Sequence, residues 1–221
     1  MSAGGTLVTA ALLTGLVTAT AAGPLLRALP EPADVPDKIT YRSLLTPGFL
    51  VLCGGLAAAA AAISWHSTSL AAQPLWTVLS TVGILLAAID ARTTWLPLRL
   101  TQIAWLLMVL GALAAVVLGA GWPLLLRCGV GAGTAGALYF VTWVLTRGGL
   151  GFGDVRFAPL LGAAAGADSW RLLLWALFLG TAVGGIHGLV RLARSRAGPF
   201  PYAPSMLAGA YLALAASWLY T

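Results

Sequence analysis

The chain has 221 residues, 60% of them hydrophobic and only 8% charged, and twelve Lys and Arg against six Asp and Glu give a formal net charge of +6. No polar stretch is long enough for a separate soluble domain, and the alternation of a transmembrane β-barrel is missing. The positive balance fits arginines gathered in the loops on one side of a membrane, not a nucleic-acid surface.

In chain order the apolar runs are 6–26, 48–65, 75–89, 100–120, 124–145, 155–167, 170–192 and 203–220. A bilayer core takes about 20 helical residues, so the pattern predicts an all-α polytopic membrane bundle of about eight transmembrane helices. One membrane-embedded domain over 1–221 is expected, with a first helix and short loop over 1–46 and a core over 47–221. No Lys or Arg precedes the first run, so it reads as a retained helix and not as a secretory signal. The sixth run has about 13 residues and contains Pro159, which leaves a crossing or a re-entrant segment open. If it crosses, one side carries Arg27, Lys38, Arg42, Arg92, Arg99, Arg147, Arg156, Arg191, Arg194 and Arg196, and the other only Arg127 and Arg171. That partition favours eight crossings, with both termini outside.

Small residues four apart, Gly162 with Gly166 and Gly180 with Gly184 and Gly188, predict close helix packing. Cys53 and Cys128 are isolated in apolar surroundings. They read as buried small hydrophobes, with no zinc-site or redox spacing. His187 reads as a packed or interfacial residue.

Four of the six acids, Glu31, Asp34, Asp37 and Asp168, fall in connections. The other two close or open apolar segments, where an ionisable group is costly and is a functional candidate by default. Asp90 ends the third run, and Asp154 follows a stretch containing Gly148, Gly149, Gly151 and Gly153. Two runs lie between them, so both carboxylates reach the same face. Two carboxylates that share a proton can hydrolyse a peptide bond without metal or organic cofactor, one taking a proton from water and the other protonating the leaving amine. A bland reading stands beside this one. Asp154 is placed to cap a helix, and Asp90 is within reach of Arg92, although the negative end of its own helix dipole disfavours it there.

The ordered blocks resemble the type IV prepilin peptidase family, membrane aspartyl proteases with a Gly-x-Gly-Asp motif. Ala88-Ile89-Asp90 with Leu96-Pro97 and Leu100-Thr101 is similar to the first catalytic block. Gly151-Phe152-Gly153-Asp154-Val155-Arg156 with Leu160-Leu161-Gly162 is similar to the second, and Pro199-Phe200-Pro201-Tyr202-Ala203-Pro204 to the segment that opens the last helix. The resemblance runs from about residue 75 to the C-terminus. It implies that Asp90 and Asp154 are the catalytic pair, working from the cytoplasmic side of a bacterial inner membrane, with Gly151, Gly153, Pro97 and Arg156 as substrate-binding or supporting residues. Two positions depart from the pattern: Leu98 stands where Asn or Asp is common, and Arg156 replaces a lysine. The loop at 30–47 is short and lacks the two Cys-x-x-Cys pairs of the long bifunctional members, which implies a peptidase without N-methyltransferase activity.

The implied partners are prepilin or pseudopilin precursors and the lipid bilayer, with no nucleic acid. The competing reading is a non-catalytic assembly factor or transporter-like protein that retains the fold. A transporter would place polar groups near mid-membrane at broken helices, and these runs are almost free of them. A protease acting on other transmembrane substrates is a third reading. Neither the pilus or secretion system served nor the oligomeric state is written in the sequence.

Overall fold

The computed structural model describes residues 3–31, 39–195 and 200–219. Asp34, Asp37, Lys38, Arg196 and Pro199 lie outside them. Among the described residues there are helices and no strands. The helices are α1 (Ala3–Ala28), α2 (Pro47–Ser67), α3 (Gln73–Val78), α4 (Ile84–Thr93), α5 (Leu98–Ala115), α6 (Pro123–Leu145), α7 (Phe152–Asp168), α8 (Trp170–Ala193) and α9 (Ala203–Ala215). A π turn, Leu79–Gly83, joins α3 to α4 without a break, so eight rods result. A second π turn, Val116–Ala120, extends α5. Six rods are long and apolar enough to span a bilayer, and the protein is a multi-pass membrane protein.

Local chemistry sets the helix starts. Thr46 accepts from the Phe49 N–H at 3.3 Å ahead of Pro47, and Ser169 accepts from the Leu172 N–H at 3.1 Å. Both are ordinary N-caps that satisfy a free donor. Glu31 accepts from the N–H groups of Tyr41 and Arg42 at 2.9 and 3.0 Å. Its carboxylate therefore caps the short turn Tyr41–Leu44.

Glycines bring the rods together in antiparallel pairs. A Cβ on Gly15 of α1 would lie 2.7 Å from the Gly54 carbonyl of α2. On α6 and α7, Gly131 and Gly162 each leave no room for a Cβ beside the other's carbonyl, and a Cβ on Gly166 would lie 2.9 Å from the Arg127 carbonyl. On α8 and α9, Gly180 and Gly209 touch backbone to backbone. Such approach replaces the hydrophobic driving force that lipid does not supply. Gly162, Gly166 and Gly180 thus pack as expected, while Gly184 makes room for the Tyr202 ring and not for a helix backbone. Gly188 does not pack, because open space faces it.

The sixth run is longer than its apolar stretch suggested. α7 has 17 residues, about 25 Å at helical rise, and runs along α6 as far as Arg127. Asp168 closes it and accepts the Trp76 indole N–H at 2.5 Å, so this acid anchors a helix end against α3.

The rod of α3, the π turn and α4 lies at the centre, with 78% of its most apolar window buried. Inside the π turn, Ser80 and Tyr211 of α9 share a hydroxyl–hydroxyl hydrogen bond of 2.7 Å, and Tyr211 meets Trp76 edge to face at 5.5 Å. Cys53 and Cys128 are both buried on separate helices, the packing role expected for them.

Candidate active site

Asp90 lies in the last turn of α4. Thr94 ends that helix in the left-handed conformation, φ 56°, and its N–H donates to the Asp90 carbonyl at 2.7 Å. The carboxylate is only 3% exposed and turns inward, where Oδ2 accepts the Ala203 N–H at 3.2 Å. Arg92 is on the neighbouring face. There it borders an apolar groove of about 320 Å³ shared with Phe49, Leu56, Ala88 and Pro204.

Asp154 comes from the opposite direction, in the first turn of α7 and 4% exposed. The helix begins at Phe152 with Gly151 as its cap residue, so Asp154 sits three positions inside the cap and does not occupy it. Tertiary contacts explain the earlier start. The Phe152 ring meets Trp143 edge to face at 5.1 Å, and the Arg156 guanidinium lies over it at 4.7 Å.

The two carboxylates converge. Asp154 lies close enough to Asp90 to feel its charge, and it neighbours the Ala203 N–H that donates to Asp90. Its Oδ1 is buried and has no hydrogen-bond partner. Ala203 opens α9, so the positive end of that helix dipole points at the pair. Pro204 follows it and carries no N–H, while Ser205 donates back to Tyr202. The Ala203 N–H is thus a free donor of the helix start, and it is spent on Asp90.

The supporting residues gather around this centre. A Cβ on Gly151 would lie 3.0 Å from Asp154 Oδ2, and one on Gly153 would lie 3.0 Å from Leu96 Cβ. Both glycines therefore serve contacts within the protein, one with the carboxylate itself and one with the 94–97 turn. Pro97 is buried and precedes α5, with its carbonyl accepting the Thr101 hydroxyl at 3.0 Å. The Arg156 carbonyl accepts the Trp105 indole N–H at 3.0 Å, which ties α5 to α7 two residues from Asp154. Leu98, at the start of α5, is exposed.

The sequence reading did not find the backbone donor. Ala203 has no side chain that signals a role; its only trace is the pair of prolines, 201 and 204, around a helix start. Nor did it find Tyr139 and Tyr202. Tyr139 of α6 is buried and feels the charge of Asp154, and its ring lies 5.9 Å from that of Tyr202. His187 rests edge to face on Phe200 at 4.7 Å, a packed residue beside this cluster.

The profile of the type IV leader peptidase family matches residues 77–189, just over half of the chain and including both aspartates. The chain belongs to the type IV leader peptidase family. No curated protein and no solved structure matches it. The family match ends before Ala203, so the third wall of the site comes from a segment outside it.

Proposed function

We propose that this leader peptidase family member is an active aspartic endopeptidase that removes the leader of type IV prepilin-like or pseudopilin precursors, using Asp90 and Asp154 as its catalytic pair. The observation that carries this reading is the convergence of two buried carboxylates from different helices beside one backbone N–H, which donates to Asp90. Capping and surface anchoring do not require that arrangement.

The chemistry follows from the pair. Two carboxylates this close titrate as a unit and hold one proton between them. The ionised partner takes a proton from water as its oxygen attacks the scissile carbonyl carbon. The neutral partner donates to the carbonyl oxygen, and the C–N bond then breaks as the amine nitrogen accepts a proton. The Ala203 N–H and the α9 dipole steady the negative charge without adding a competing acid. Asp154 Oδ1, buried and unpartnered, is the atom best placed to receive the water or the peptide group.

The positive-inside partition supports a cytoplasmic position for this end of the bundle, the face of a bacterial inner membrane on which a basic leader would wait before translocation of its mature domain. The test is co-expression with candidate prepilins from the same genome. A leader-sized mobility shift that disappears with Asp90→Asn and with Asp154→Asn supports the reading. A well-inserted chain that leaves every such precursor intact, or single Asn variants that cleave at the normal rate, would overturn it.

A further inference from the structure

The donor beside the two carboxylates is a backbone group, so its position depends on whatever holds the start of α9. The structure supplies a socket for the residue just before it. Gly184 of α8 leaves the room that the Tyr202 ring fills, since a Cβ there would collide with the ring and lie 2.9 Å from its hydroxyl. Phe200 and Tyr139 flank the same ring at 5.8 and 5.9 Å. The Tyr139 hydroxyl neighbours the side chains of Tyr202 and of Thr181 on α8. Two helices and the Phe200 segment thereby grip one side chain, and its next neighbour in the chain is the residue whose N–H reaches Asp90.

We infer that the Tyr139–Tyr202 hydroxyl pair is a positioning device for the dyad, holding the Ala203 N–H against the carboxylates from the α6 and α8 side. A peptide N–H moves with the residue before it, because the plane between them is rigid. A small shift of Tyr202 therefore transfers directly to the donor. Tyr139 also faces Asp154 across the cluster, which places a neutral hydroxyl instead of a second charge beside the buried carboxylate. Both tyrosines act through Ala203 and Asp154 and touch no reacting atom themselves.

This inference rests on the proposed peptidase activity, and the experiment separates the two. Tyr139→Phe, Tyr202→Phe and the double variant keep every ring and remove only hydroxyl groups. Purified in detergent with a precursor substrate, each single variant is expected to lose about tenfold in kcat, the size of one well-placed hydrogen bond. KM and the melting temperature should stay at wild-type values. The double variant should fall no further than Tyr139→Phe, because that single change already removes the contact with Tyr202 and the one with Thr181. Wild-type kcat in both singles, losses that multiply in the double, or a kcat loss that tracks the melting temperature would each overturn it. A wild-type chain without cleavage would instead sink the proposed function.

Discussion

Asp90 and Asp154 have the same side chain and unequal surroundings. Asp90 spends one oxygen on a fixed backbone donor, whereas Asp154 keeps Oδ1 buried and without a partner. Burying an ionised carboxylate costs several kcal/mol unless its lone pairs are met, so a partly satisfied pair is kept only where something is to be bound there. Asp90→Asn and Asp154→Asn are each expected to lower kcat by about 10²–10⁴-fold, since an amide can neither give nor take the proton, while membrane insertion stays intact by protease-protection mapping. Cleavage at the wild-type rate by either variant would remove the dyad. Gly153 offers a subtler check. Its added Cβ presses on Leu96, so Gly153→Ala is expected to slow cleavage about tenfold by shifting the first turn of α7. Leu96→Ala in the same chain should restore much of the rate, and failure of that rescue would mean the glycine acts by another route.

At the scale of elements, the glycine crossings differ in what they tolerate. Gly162→Ala must push α7 away from the Gly131 carbonyl and is expected to destabilise by about 2–3 kcal/mol. Gly188→Ala meets open space and should stay within about 0.5 kcal/mol of the parent. Thermal unfolding in detergent compares the two, and equal losses would refute the crossing. The four-residue spacing alone did not separate these positions, because it reports a helix face and not what lies across it. The apolar runs located all eight rods, and the two acids at their edges are the carboxylates that the fold brings together. The start of α7 was less legible. Gly151 and Gly153 read as loop by propensity, and only the contact of Phe152 with Trp143 of α6, together with Arg156 one turn on, shows why the helix begins before Asp154. A backbone donor such as Ala203 leaves no mark in a sequence beyond its proline neighbours.

For the whole molecule, the tie between Trp76 and Asp168 sits at one end of the bundle and the carboxylates at the other. The ten-to-two split of basic residues is the ground for proposing that the carboxylate end faces the cytoplasm. Single cysteines placed in a cysteine-free chain at Ser195, Leu98 and Trp122, all exposed, test this directly. In intact cells a membrane-impermeant thiol reagent is expected to label the Trp122 probe and spare the other two. Labelling of the Ser195 or Leu98 probe would invert or break the topology.

The π turn at Leu79–Gly83 has a consequence for where Asp90 points. One extra residue in a helix turns everything beyond it by about 100° around the axis. The central rod is therefore a shaft with a built-in phase offset, its lower half indexed to Trp76 and Asp168, its upper half to Ala203. Deleting Thr81, which is only partly buried, should convert the turn to regular helix and keep the rod intact. Losing one residue and closing the wide turn cancel, so the carboxylate would keep its alignment, whereas closing the turn with all residues retained would swing it about a quarter-turn. The expected result is a chain with unchanged helical content by circular dichroism and retained cleavage, and loss of cleavage in an intact helix would show that the turn does more than set the phase of the acid.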